Sequence, residues 1–399
     1  MTGQAPREGP GFIRVGIVAE SYFPSLGGIQ EHVRHLRNHL RRQGVEVTIL
    51  TGRPTPSAVS SNPGPADAEH NVMRVGHART FHSGGTFTQA TIGPRAAYNF
   101  RRALRAGQFD LLNIHGPCDF GLAFWALSMF RGPKVLTLHS CFPDARWRRQ
   151  VAAYYRWVFR RSTAVIAVSE ATAQSMGRYA DFGSTTTIIP NGIDAAYWRA
   201  GSNPRYLRPG MRNLVYLGRL EERNGPDVAI EAFSRIAPSL PDVRLLMAGD
   251  GPMRQGLQAR VPPHLRGRLE FLGAVYDERP ELLASSSLFL LPARAVGFSI
   301  MALEAFAAGL PVVALPAFGT DRAGEHWSNV IMSRDNSAEA FAQTIVETLQ
   351  RDQSDRIARG RAIADAFDWT RIGDRILDVF QRAAGPRAQR PGWPQKAAA

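Results

Sequence analysis

The sequence predicts an α/β protein of two doubly wound parallel-sheet domains in tandem, facing each other across a cleft. Three observations carry this. Short β-rich runs alternate with helical ones through both halves of the chain, and one Pro-, Gly- and Asn-rich stretch without periodicity interrupts them near the middle. The length, 399 residues, exceeds one ordinary core and suits two domains of about 150 to 200 residues each.

RVGIVAE (14–20) reads as a buried strand, SYFPSLGG as the loop after it, and the amphipathic run that follows as a helix ending near Gly44. EVTILTG (46–52), DLLNIHG (110–116), KVLTLHS (134–140) and TAVIAVS (163–169) are the next strands, each with a helical pattern before or after it. Strand then helix, repeated, makes a parallel sheet covered on both faces. Ligands of such sheets sit beyond the carboxyl ends of the strands, where His115, His139 and Ser169 fall. TTTIIPNGIDAAYWRAGSNPRYLRPGMR (185–212) supplies the break, and its Pro, Gly and Asn content marks a linker. The pattern restarts with NLVYLGR (213–219), VRLLMAGDG (243–251), LEFLGAV (269–275), SLFLLPA (287–293) and PVVALPA (311–317). The boundaries expected are a first domain over 1–190, a linker over 191–212, a second domain over 213–367, a closing helix over 368–385 and a disordered tail over 386–399.

Composition narrows the function classes. A hydrophobic content of 44% is ordinary for a globular protein, and the apolar run LAFWALSMF (122–130) falls far short of the ~20 residues that span a bilayer. MTGQAPREGPGF carries no apolar segment of the signal-peptide kind, so a cytoplasmic location is expected. Two cysteines, Cys118 and Cys141, exclude a disulfide framework and fit a reducing compartment. With His115 and His139 they form H-x2-C and H-x-C, tighter than the usual zinc spacings, so no metal is expected.

The net charge of +14 is uneven: residues 1–200 hold 23 basic and 12 acidic side chains, and residues 201–399 hold 25 and 22. The excess belongs to the first half, in RHLRNHLRR (34–42), FRRALR (100–105) and RWRRQVAAYYRWVFRR (146–161). A solvated basic face explains any one cluster, but the three together point to an anionic partner. The last cluster interleaves Arg with Trp and Tyr, as segments at a membrane surface do, so an anionic membrane is the expected partner. No nucleic-acid motif accompanies the charge, and no nucleic acid is expected.

Gly27 and Gly28 lie between the first strand and its helix, where backbone amides and the helix dipole can receive a phosphate; a plain tight turn explains them equally well. GRLEERNGPDVAIEAF (218–233) also joins a strand to a helix. Its Arg219 is placed for charge-assisted bonds to a diphosphate, or for pairing with Glu221 or Glu222. RAVGFSIMALEAFAAG (294–309) is small and apolar but for Arg294 and one carboxylate, Glu304, eight residues after Val296.

In this order, LGGIQEHVRHL, FDLLNIHGP, IPNGID, YLGRLEERNGPDVAIEAF, MAGDGP and GFSIMALEAFAAGLPVVA resemble the retaining glycosyltransferases of family 4, from about residue 13 to 384. GGIQ and GPRAAYNFRRALRAGQFDLLNIHGP look most like the bacterial phosphatidylinositol mannosyltransferases. The resemblance implies the GT-B fold, two Rossmann-like domains across a cleft. It also implies transfer of a sugar from a nucleotide-sugar donor, GDP-mannose or a UDP-sugar, to a lipid-linked or glycan acceptor at the cytosolic membrane face. It assigns Gly28 to the donor phosphates, Gln30 to the acceptor, His115 to the reacting sugar, Arg219 to the diphosphate, Glu304 to the ribose hydroxyls, and the amides around Phe298 and Ser299 to sugar and phosphate. The nucleotide-sugar is substrate, and no cofactor is implied. The chain contains no D-x-D, in keeping with a diphosphate held by arginine and helix termini in place of a metal.

Two positions depart from the family pattern. Asn224 stands where the family has a lysine five residues after its arginine, and Val296 stands where it has the first glutamate of E-x7-E. PAFGTDRAGEHW (316–327) also lacks the family's G-G-x-P-E. A lost cation leaves the charge of a departing diphosphate less stabilised, and valine accepts no hydrogen bond from a sugar hydroxyl. These departures keep two further readings open: a catalytically impaired GT-B protein that binds a partner, and a nucleotide-sugar epimerase on the same scaffold.

Overall fold

The computed structural model describes residues 13–25, 27–55, 70–83, 86–116, 121–140, 149–181, 186–201, 205–295, 298–316, 325–386 and 393–394. In chain order the first half forms β1 (Arg14–Val18), β2 (Glu46–Arg53), β3 (Val72–His77), β4 (Arg79–Ser83), β5 (Thr86–Ala90), β6 (Leu111–His115), β7 (Lys134–Leu138), β8 (Ala164–Ala167) and β9 (Thr186–Ile188). Seven of these make one sheet, ordered β3-β2-β1-β6-β7-β8-β9 and parallel throughout. Its central strands are mostly apolar because helices cover both faces; β6 and β7 are buried from end to end, including Asn113, His115, Lys134 and Thr137. β4 and β5 stand apart as an antiparallel hairpin.

The second half repeats the plan with β10 (Arg212–Leu217), β11 (Val243–Ala248), β12 (Leu269–Gly273), β13 (Leu288–Leu291), β14 (Val312–Ala314) and β15 (Ile331–Met332). Their order is β12-β11-β10-β13-β14-β15, again all parallel. Each sheet is sandwiched between two apolar clusters, so the molecule has two cores, with helices such as α1 (Gly28–Arg42), α2 (Pro94–Gly107) and α3 (Leu122–Met129) on the flanks of the first.

The linker is more ordered than its composition implies. Asp194 caps a five-residue helix, Ala195–Arg199, whose Trp198 packs into the second core. Ile193 pairs with Asp368 in a β-bridge, Ile193 N–H donating to the Phe367 carbonyl at 2.9 Å and Trp369 N–H to the Ile193 carbonyl at 3.1 Å. The chain therefore crosses between the domains twice, side by side, and the closing helix Trp369–Ala384 returns to the first domain. There Trp369, Ile372, Ile376, Leu377 and Phe380 join the core built on β1, β2 and α1. Burying each such side chain stabilises by about 1.5 to 3 kcal/mol. Gly373 permits the close approach, since a Cβ there would lie 2.4 Å from His39 Cδ2, and His39 Nε2 meets Asp374 at 3.0 Å.

The tail expected to be disordered from residue 386 contains one described anchor: Trp393 is 4% exposed and packs in the first core, while Gln381 donates to the Pro394 carbonyl at 2.6 Å. An indole buries enough apolar area to hold a short polar stretch in place. Ser169 falls just beyond the end of β8, as expected, and there caps the helix Glu170–Gly177 by accepting from Thr172 N–H at 3.1 Å.

Candidate functional site

Both sheets reverse strand order once, between β1 and β6 and between β10 and β13. A crevice for ligands opens beyond the strand ends at such reversals. The loop after β1 leads into Gly28 and α1, and β6 ends on His115; the turn after β10 carries Arg219, and the chain after β13 leads to Ser299 and the helix Ile300–Ala308. The two helices start close together: a Cβ added to Gly28 would sit 3.4 Å from Ile300 Cδ1. Two helix N-termini, one from each domain, thus meet at the cleft, a pairing that favours an anion.

Arg219 forms the expected pair with Glu221, Nε and Nη2 reaching Glu221 Oε1 at 2.8 and 2.7 Å. Glu221 is buried and the arginine side chain is 41% exposed, so one edge of the guanidinium is anchored while the rest faces outward. Asn224 turns inward, donating to the Arg219 carbonyl at 2.9 Å beside the Tyr216 hydroxyl at 3.0 Å. It closes the turn and supplies no charge. Arg294 does not take the lysine's place, because its Nη1 and Nη2 grip the Asp227 carboxylate at 3.0 and 2.6 Å. Burial works to raise the Asp227 pKa, but hydrogen bonds and charge from Arg294 outweigh it and hold the carboxyl low. Val296 lies outside the described residues. Ser299 spends its hydroxyl on Ala302 N–H at 3.2 Å as the helix cap, and Phe298 packs 5.9 Å from Phe367, centroid to centroid.

Glu304 lies one turn into that helix, buried. Burial pushes its carboxyl up to about 7; Arg279, with Nη1 4.0 Å from Glu304 Oε1, opposes the shift and Glu31 adds to it. Arg279 also reaches across the domains to Glu31 on α1, Nη2 to Oε1 at 2.9 Å, and its guanidinium lies 4.3 Å from the Tyr276 ring centroid and 5.1 Å from that of Trp198. Burial disfavours its charge, yet the two carboxylates outweigh that and keep it charged. The cavity between the domains here measures about 680 Å³ and is lined by Glu31, Arg34, Arg41, Tyr197, Arg279 and Glu304 among others.

On the first-domain side Gln30 is tied to the β1 loop, Nε2 donating to Ser21 Oγ at 2.6 Å. His115 is buried at the end of β6, with Nε2 2.6 Å from Asn113 Oδ1 and Nδ1 2.8 Å from His139 Nε2. Asn113 is itself fixed, its Nδ2 donating to the Val135 carbonyl at 3.1 Å and to Thr137 Oγ1 at 2.9 Å. Its Oδ1 must therefore accept, which places the His115 proton on Nε2 and the lone pair on Nδ1. His32 of α1 completes a cluster, its ring 5.4 Å from His115 and 4.8 Å from His139. Burial holds all three imidazoles below their ordinary range, His32 at about 3.

Sequence reasoning missed Glu31 and His32, adjacent residues inside LGGIQEHVRHL that were assigned no role, and Arg279, far from them in the chain and outside any motif. It also missed Glu20, whose carboxylate receives Thr91 N–H at 2.9 Å and also Leu122 N–H at the start of α3, joining three segments behind the cleft. The basic cluster 34–42 lines part of the cleft through Arg34, Arg41 and Arg42, with Arg37 buried and Arg41 and Arg42 also exposed to solvent. Cys118 and Cys141 lie outside the described residues.

Comparison with known proteins agrees with this geometry. Residues 26–197 match the family described as Glycosyltransferase Family 4, and residues 211–351 match Glycosyl transferases group 1. The phosphatidyl-myo-inositol mannosyltransferase of Mycobacterium tuberculosis is 29% identical over 398 residues, covering 94% of this chain and 99% of its own. Glycogen synthase of the same species is 28% identical over 412 residues, covering 96% and 98%. Among solved structures, Anabaena Alr3699/HepE in complex with UDP and glucose superposes with a TM-score of 0.71 at 19% identity, covering 92% of this chain and 99% of that one. WaaG, a glycosyltransferase involved in lipopolysaccharide biosynthesis, gives 0.66 at 17% identity over 92% and 99%.

Proposed function

The chain belongs to the family 4 glycosyltransferases of GT-B fold, and on that premise we propose that it moves a hexose, with retention and without a metal, from a nucleotide-sugar to a lipid-linked or glycan acceptor at an anionic membrane surface. The carrying observation is the meeting of the α1 and Ile300–Ala308 N-termini, with Gly218, the residue before Arg219, also near the second helix, where a Cβ on Gly218 would lie 3.7 Å from Met301 Sδ. Fixed dipoles and a cation aimed at one point stabilise the charge that develops as a nucleoside diphosphate departs. In this reading the diphosphate lies between the helix ends and Arg219, and Glu304 receives the ribose hydroxyls. His115 orients the sugar, donating through Nε2 once it exchanges Asn113 for substrate. The acceptor hydroxyl enters on the face from which the diphosphate leaves, and the leaving phosphate helps to take its proton.

Membrane attachment is supported by α2, which exposes Arg95, Arg101, Arg102 and Arg105 with Tyr98 two-thirds exposed, and by Arg156, Arg160 and Arg161. No described helix is long and apolar enough to cross a membrane. Trp157 and Tyr154 are stacked 5.8 Å apart, Trp157 also against Phe124 at 5.3 Å, so the arginines form the contact face in this reading.

The test is calorimetric titration of the chain with GDP-mannose, UDP-glucose, UDP-N-acetylglucosamine and the bare diphosphates. One donor binding well above its own diphosphate is expected and names the sugar; no binding at millimolar donor contradicts the reading. A second reading, an impaired GT-B protein that binds without turning over, draws on one observation: Asn224 and the Asp227-bound Arg294 leave the diphosphate with one family cation fewer. It predicts that Asn224→Lys together with Val296→Glu creates turnover where the unmodified chain has none.

A further inference from the structure

We propose that His32, His115 and His139 form a buried three-imidazole site for a divalent transition metal of the zinc class, which shares His115 with the transfer site but takes no part in transfer. Each residue offers one ring nitrogen, and these three atoms lie within 4.8 Å of one another. Tetrahedral zinc holds its nitrogens about 3.3 Å apart at bonds of about 2.0 to 2.1 Å, so the set closes by small side-chain movements: the His115–His139 pair opens from 2.8 Å and His32 swings inward.

Two independent features point to a ligand. The first is His115, prepared as metal-binding histidines are, with its far nitrogen donating to a fixed acceptor, Asn113 Oδ1, and its lone pair aimed into the cluster. The second is His32, fully buried with its ring 5.4 Å from His115 and 4.8 Å from His139; the Asn191 side chain engages one ring nitrogen, and the other closes no hydrogen bond on a described residue. A buried ring nitrogen left without a partner is costly, and a metal bond would relieve it. His139 is only partly buried and gives an ion its entry. Imidazole donors without carboxylates select zinc, cobalt, nickel or copper over magnesium and calcium.

A bound ion would occupy the His115 lone pair and fix that ring, so zinc should slow sugar transfer. This consequence alone rests on the transfer reading. The metal site is tested without it, by titrating the full chain with Zn2+ in a calorimeter and with Co2+ in a visible spectrophotometer. One equivalent of zinc should bind, and His32→Gln and His139→Gln should each weaken it at least tenfold, with circular dichroism confirming the fold. The cobalt complex of the unmodified chain should show the intense bands of a four-coordinate nitrogen field, a result that needs no variant to fold. Weak six-coordinate bands, no binding, or zinc affinity unchanged in both variants overturns the site.

Discussion

Glu304 is the residue whose charge can be read most directly. Its carboxyl sits at about 7 in the fold against an ordinary 4.5. Between those values the folded chain holds a proton that the unfolded chain has released, so this group makes stability fall as pH rises through that window. Glu304→Gln should therefore flatten the loss of Tm between about pH 5 and about pH 8, as measured by calorimetric melts; an unchanged slope contradicts the assigned burial. If the ionised carboxylate receives ribose hydroxyls, nucleotide affinity should rise over the same range in the unmodified chain and stay level in the variant. Asn224 gives a second residue-scale prediction. Asn224→Lys restores a cation beside Arg219 and should tighten bare diphosphate binding about 10-fold, whereas Arg219→Ala should weaken it about 10- to 100-fold, the worth of one charged hydrogen bond. The turn should survive the first change, because the Tyr216 hydroxyl also holds the Arg219 carbonyl.

At the scale of elements, the contact that bears on domain closure is Arg279, held between Glu31 of α1 and Glu304 of the helix Ile300–Ala308. Removing one member of a buried charged group costs about 3 to 5 kcal/mol because its partners stay buried and unpaired. Arg279→Met should lower Tm by several degrees, and a double-mutant cycle with Glu31→Gln should recover part of the loss; strictly additive effects would show that the two do not interact. The strand–helix alternation was legible from sequence because parallel sheets covered on both faces leave near-continuous apolar runs, as in β6 and β7. The edge strands β3 and β9 and the hairpin β4–β5 were not, since short, half-exposed runs leave no such signal. The site divides in the same way. Arg219, His115 and Glu304 announce themselves at strand ends or inside a motif, whereas His32 and Arg279 gain their meaning only when α1 meets residues some 80 or 250 positions away, a property of tertiary packing. The buried Trp393 shows the same limit, a tail read as disordered whose one indole found the first core.

For the whole molecule, charge and chain path set the behaviour. The basic excess of the first half divides between a cleft-facing set on α1 and an outward set on α2 and after Tyr154. Sedimentation with anionic vesicles should show binding that weakens with salt and is reduced by Arg101→Ser, Arg102→Ser and Arg105→Ser in combination; equal binding to neutral vesicles would refute the electrostatic account. The double crossing at Ile193 and Asp368, with the closing helix returned to the first core, ties the two domains together through two segments of chain. The central claim, that this cleft is a working donor site that retains configuration, is tested most directly by proton NMR of the bound donor with water as acceptor. The account predicts that free sugar first appears as the α-anomer, before mutarotation, and that His115→Ala slows its release. First appearance of the β-anomer, or equal release by His115→Ala, would contradict it.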